Sequence, residues 1–233
     1  MVAGIDGCRA GWLCLVTDPA SLSIEAHVFT HMAEIARQRS ALAAVAIDIP
    51  IGLPDAGRRE CDVEARRILG RPRSTSVFPA PIRPALAART RAGASRVTAR
   101  IDGRKVGAQS WNIYAKVREV DELLGADCGL RALVREVHPE VCFWAWNDRR
   151  PMRFSKKTPQ GQRERTRLVE RHFGRGCVGR VRASLARRLV AQDDILDAFA
   201  ASWTANRMHA GAAECLPQRV QHDARGLRME MVF

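Results

Sequence analysis

At 233 residues the chain can bury a large core, and its length favours one domain with room for an inserted subdomain. Its 38 basic and 25 acidic side chains leave a net charge of +13, which suits a polyanion partner because Lys and Arg that neutralise phosphates drive nucleic-acid affinity. The longest purely apolar stretch, Ala41 to Ile47, falls far short of the roughly 20 residues that span a bilayer. No basic region leads into an apolar one at the N-terminus, so a cytoplasmic protein with no membrane contact is expected.

The charge is less specific than its size implies. Only four of the 38 basic residues are lysines (Lys105, Lys116, Lys156 and Lys157), leaving 34 arginines in an Ala-rich chain. A coding bias produces that composition as readily as a ligand does, so the lysines are more informative than the arginines. The seven cysteines are odd in number, scattered and free of any C-x-x-C pair, a pattern that suggests neither a disulfide framework nor a zinc site.

Met1 to Asp6 reads as a strand, and Gly7 to Gly11 as a turn in which glycine supplies positive φ. Trp12 to Val16 reads as a second strand, broken by Asp18-Pro19, and Leu22 to Phe29 alternates as a third. Met32 to Arg39 has helical composition. Ala43 to Ile49 is a near-continuous apolar run, the mark of a strand buried on both faces, and Pro50 and Pro54 stop it.

From about 55 to 125 the pattern changes to a basic helix over Arg58 to Leu69 and a Pro-rich turn, Phe78-Pro79-Ala80-Pro81. A polar, Gly-containing stretch from Arg89 to Gly107 and a helix over Ile113 to Leu124 follow. This reads as a helical insertion, partly mobile. Leu133 to Val137 predicts a strand, Pro139 opens a helix, and Gln162 to Phe173 and Asp193 to Met208 complete the helical set.

A three-strand meander followed by a helix and parallel strands is the order of an α/β fold of RNase H-like type. Its first and fourth strands lie side by side in a mixed sheet flanked by helices. Neighbouring strands are about 4.8 Å apart, so Asp6 and Asp48, each ending its strand, would meet at the open edge where α/β proteins bind ligands. Two such carboxylates raise each other's pKa unless a cation intervenes.

Glu136 ends the strand expected beside that of Asp48 and reads as a third ligand. Glu140 would sit in the first turn of the next helix, where the macrodipole accounts for it, and His138 is either a proton carrier or a capping side chain. On the last helix Asp194 and Asp197 are three apart and share a face. That face continues into Ala198, Ala201 and Ala205, small enough for another surface to approach, while Asp193 stands as N-cap. Among the tryptophans, Trp111 is assigned to substrate stacking and Trp144 and Trp146 to the core.

Five motifs appear in order: Gly4-Ile5-Asp6-Gly7-Cys8-Arg9-Ala10-Gly11-Trp12, Ile47-Asp48-Ile49-Pro50-Ile51-Gly52-Leu53-Pro54, Glu136-Val137-His138-Pro139-Glu140-Val141, Ser155-Lys156-Lys157-Thr158 and Asp194-Ile195-Leu196-Asp197-Ala198. Together they resemble the bacterial domain-of-unknown-function family 429, described as predicted nucleases of RNase H fold. The segment Gly107 to Lys116 matches at Gln109, Trp111 and Lys116, and departs at Gly107 and Ala115, where Ser and Pro are expected.

The resemblance implies a nuclease that hydrolyses phosphodiester bonds of DNA or RNA with two Mg²⁺ or Mn²⁺ ions, hard cations that oxygen ligands favour. Asp6 would bridge the ions, Asp48 and Glu136 would hold one, and Asp194 with help from Asp197 the other. Arg9, Lys116, Lys156 and Lys157 would bind phosphates, with Gln109, Trp111 and His138 near the substrate. A homodimer stays open. The alternatives are a nucleotide-dependent phosphotransferase of the actin-like or sugar kinase type and a non-catalytic nucleic-acid-binding protein. The first normally needs two copies of the fold and Gly-rich phosphate loops.

Overall fold

Two nearly continuous apolar runs and an alternating third make a meander in the computed structural model, which describes residues 1–233. β1 (Val2–Cys8) pairs antiparallel with β2 (Gly11–Thr17), and β2 with β3 (Ile24–Phe29). After α1 (Met32–Ala36) the apolar run returns as β4 (Ala44–Ile47), parallel to β1, and β5 (Val134–Glu136) lies parallel to β4. The order β3-β2-β1-β4-β5 makes a mixed sheet whose central pair is β1 and β4.

Six helices connect β4 to β5: α2 (Glu60–Leu69), α3 (Arg83–Leu86), α4 (Arg91–Asp102), α5 (Ala108–Asn112), α6 (Tyr114–Ala126) and α7 (Cys128–Leu133). The polar stretch from Arg89 to Gly107 is mostly α4. Thr90 caps it by accepting from the Gly93 amide, and Gly103 ends it at φ +67. Its buried residues are only Ala94 and Thr98, so its caps define it and apolar periodicity does not.

Beyond β5 come α8 (Pro139–Trp146), α9 (Pro159–Phe173), α10 (Cys177–Ser184) and α11 (Gln192–His209). A hairpin that the sequence reading did not predict, β6 (Cys215–His222) with β7 (Arg228–Val232), follows. No helix is long and apolar enough to cross a membrane, and all seven cysteines are free.

Successive side chains leave a strand on opposite faces, and both faces of this sheet are covered. Val2, Leu13, Leu15, Ala44 and Ala46 pack with α9, α10 and α11, while Ala3, Ile5, Trp12, Val45 and Ile47 pack with α1, α3 and α6. The α11 backbone lies almost on β1, since a Cβ at Gly4 would stand 2.1 Å from the Ser202 nitrogen. The Ala198 carbonyl oxygen would stand 2.5 Å from the same Cβ, and α11 is buried continuously from Ile195 to Ala205.

Candidate metal centre

The alternation that puts Gly4 against α11 puts Asp6 on the same face, and the parity of Ala44 and Ala46 does the same for Asp48, just past the end of β4. The Asp48 amide donates to the Ile5 carbonyl at 2.9 Å and carries the β1–β4 ladder one residue further. From above, α11 lowers Asp197. The carboxylate oxygens of Asp6, Asp48 and Asp197 lie within 4.8 Å of one another, with Asp6 and Asp197 buried and Asp48 half-buried.

Burial, followed by the Asp197 charge, pushes Asp6 well above the usual carboxylate range and Asp48 up to about 7. One cation opposes this. The Lys156 ammonium donates to Asp197 Oδ2, and the charges of Asp197, Asp6 and Asp48 hold its own pKa above the ordinary lysine value although burial lowers it. Asp197 Oδ1 remains buried without a hydrogen-bond partner. One ammonium among three acids leaves an uncompensated anionic oxygen, a costly arrangement unless something else satisfies it.

Lys156 is held in place by local structure. Thr158 caps α9, accepting from the Gly161 amide at 3.1 Å and donating to the Ser155 carbonyl at 2.8 Å. Only glycine fits at 161, where a Cβ would stand 2.0 Å from Ser155 O. Arg165, fully buried on α9, reaches back to the Phe154 and Gly161 carbonyls and to Glu140 Oε1 at 2.5 Å. Glu140 is therefore a buried ion-pair partner, where the sequence accounts for it through the macrodipole alone.

A family model described as "Protein of unknown function (DUF429)" matches residues 4–222. The chain belongs to this family. A comparison with curated proteins finds no match, and one with solved structures finds none. The DUF429 match takes in all three acids, the lysine turn and β6, and ends before β7.

Two predicted ligands of this DUF429 protein are engaged elsewhere, which corrects the expected set. Glu136 pairs in register with Ile47 on β4, so it shares the face of Ile47 and not that of Asp48. There Arg59 grips it with both nitrogens, at 2.5 and 2.7 Å, and the Ile51 amide donates to it at 2.6 Å. Arg59 also bonds Asp62 at 2.6 Å and the Ile51 carbonyl at 2.9 Å. This buried cluster shapes the Ile49 to Pro54 loop that follows Asp48. Arg59 and Asp62 went unremarked in the sequence; their i,i+3 spacing at a helix start was the available signal.

The α11 acids also exchange roles. Asp194 accepts from the Ala191 amide at 2.8 Å, the reciprocal half of a capping box, while Asp193, the expected cap, pairs with Lys157. Asp197 is the acid that enters the cluster. Lys156 and Lys157, expected on phosphates, are therefore both ion-paired to α11.

The remaining predicted residues are spread more widely. Lys116 crosses the opposite face of β1 to the Gly11 carbonyl at 2.6 Å and stacks 4.6 Å over Trp12; a Cβ at Gly7 would touch it. His138 makes no capping bond; its Nε2 lies 3.4 Å from the Ser76 carbonyl, its Nδ1 is unpartnered, and burial with the Lys156 charge pushes it down to about 4. Arg9 is exposed in the β1–β2 turn, Gln109 is exposed on α5, and Trp111 is half-buried against Tyr114 at 4.9 Å.

Proposed function

We propose that this DUF429 protein is a metal-dependent nuclease that hydrolyses phosphodiester bonds of DNA or RNA, with its sheet read as RNase H-like. The observation that carries the reading is the convergence of Asp6, Asp48 and Asp197 from three separate elements, with one buried carboxylate oxygen left unsatisfied. The donor set fits a hard divalent cation, because all three ligands are carboxylates and no Cys or His shares the cluster. Asp6, Asp48 and Asp197 would hold Mg²⁺ or Mn²⁺, which supplies Lewis-acid polarisation and an activated water.

The chain's own residues do the rest. Lys156 holds Asp197 in place and presents a positive charge at the cluster, where an anionic substrate would arrive. His138, neutral at pH 7, serves as a hydrogen-bonding group and not as a charge. With Glu136 and Asp194 engaged elsewhere, the protein supplies one full ligand set, and a second ion would depend on substrate oxygens. The net charge of +13 favours association with a polyanion.

The test is a calorimetric titration with Mg²⁺ and Mn²⁺, followed by an activity screen on single-stranded, double-stranded, branched and hybrid nucleic acids. Saturable binding and hydrolysis, both lost in Asp197→Asn, are expected. A wild type that binds neither ion, with or without nucleic acid, overturns the proposal.

A further inference from the structure

Three of the four lysines are already engaged: Lys116 with the Gly11 carbonyl, Lys156 with Asp197 and Lys157 with Asp193. The fourth, Lys105, is exposed, makes no ion pair, and lines a cavity of about 480 Å³ between α4, α5 and the Pro79-Ala80-Pro81 turn. Arg58, also exposed and unpaired, lines the same cavity. Arg104, the third cation there, is already bonded to Asp102 and the Gly57 carbonyl. Two uncommitted cations thus face one concavity in a chain whose other lysines are all engaged.

Pro79, Pro81 and the buried Tyr114 also line this cavity. Ring-bearing lining residues and two free cations fit a ligand with a planar body and an anionic end, and the volume falls within the usual range of about 300–1,000 Å³ for small-molecule sites.

The cavity is also wired to the metal centre. The Ala80 amide donates to Asp62, which bonds Arg59, and Arg59 holds Glu136 and the Ile51 carbonyl three residues after Asp48. A ligand against the Pro79–Pro81 wall would therefore press on the buried cluster that sets the loop after Asp48.

We propose that this cavity binds a nucleotide unit, its base against the Pro79-Ala80-Pro81 turn and its phosphate between Arg58 and Lys105. The choice of a nucleotide among organic anions rests on the nuclease reading above; the binding itself requires no metal.

The experiment is calorimetry on the full chain in chelator, titrating adenosine 5′-monophosphate, adenosine and inorganic phosphate separately. Saturable binding of the monophosphate, weaker binding of the other two, and at least about tenfold loss of affinity in both Lys105→Ala and Arg58→Ala are expected. Both side chains are exposed, so circular dichroism should show the variants folded. The proposal is overturned if the monophosphate does not bind, if phosphate alone binds as well, or if the variants bind like wild type. Because chelator removes any metal, a chain that binds the monophosphate but fails the ion titration would lose the nuclease reading and keep this site.

Discussion

Gly4 lies directly beneath Ser202: a Cβ on Gly4 would fall 2.1 Å from the Ser202 nitrogen and 2.5 Å from the Ala198 carbonyl oxygen. Both obstacles are backbone, so α11 itself would have to move. Gly4→Ala should cost about 1–3 kcal/mol, the usual range for overpacking, and should weaken Mn²⁺ binding because Asp197 rides on the displaced helix. Urea denaturation together with calorimetry reads both effects; unchanged stability would mean that the contact yields.

The three α11 acids should separate cleanly. Asp197→Asn should abolish the rise in melting temperature that Mn²⁺ gives the wild type. Asp194→Ala removes the reciprocal capping bond to Ala191 and should cost about 0.5–2 kcal/mol while leaving ion affinity unchanged. Asp193→Asn, which removes only the pairing with Lys157, should be close to silent in both assays. Loss of ion binding in Asp194→Ala would restore that residue to the ligand set.

Glu136 and Arg59 test whether the buried cluster is structural. Arg59→Ala leaves Glu136 and Asp62 buried without their cation, a change that typically costs about 3–5 kcal/mol. Glu136→Gln, by contrast, should leave Mn²⁺ affinity unaltered. A large loss of affinity without unfolding would return Glu136 to the metal centre.

Lys156 is the cation that offsets Asp6, Asp48 and Asp197 in the absence of metal. Lys156→Gln should therefore melt lower than wild type in chelator, and Mn²⁺ should raise its melting temperature by more than it raises that of the wild type. Equal metal-induced shifts in the two proteins would show that the lysine does not act as the counter-charge.

The pH dependence has a definite sign. Folding lifts Asp48 from 3.8 to about 7 and raises Asp6, so the folded state holds protons that the unfolded state has released. These groups stabilise the fold at low pH, and that contribution is lost as pH rises from the unfolded value through about 7. In chelator, Asp48→Asn should gain melting temperature relative to wild type as pH rises from about 5 to 8. Because ligands must be deprotonated, Mn²⁺ affinity should climb through the same interval. A difference between variant and wild type that stays flat with pH would contradict the upward shift of Asp48.

What the chain declares locally is the strands of its main sheet, though not the β6–β7 hairpin, and the acids Asp6 and Asp48. Apolar runs punctuated by Gly7, Pro19 and Pro50 mark β1, β2 and β4, and an Asp closing a buried run stands out because burying a lone charge is expensive. The small-residue stripe of Ala198, Ala201 and Ala205 likewise signals that α11 is approached closely. Three-dimensional structure decided the rest. The pairing of Ile47 with Glu136 sets the parity of β5, and a register one residue different would have sent Glu136 to the face of Asp48. The roles of Asp193, Asp194 and Asp197 depend on the rotation of α11 about its axis, which the contact of Ser202 with Gly4 sets from outside the helix. Lys156 and Lys157 look like phosphate ligands in a basic chain because their partners on α11 lie 41 and 36 residues away. Side-chain period is written in neighbouring residues, whereas register, rotation and charge pairing are settled only when distant segments share the same few ångströms.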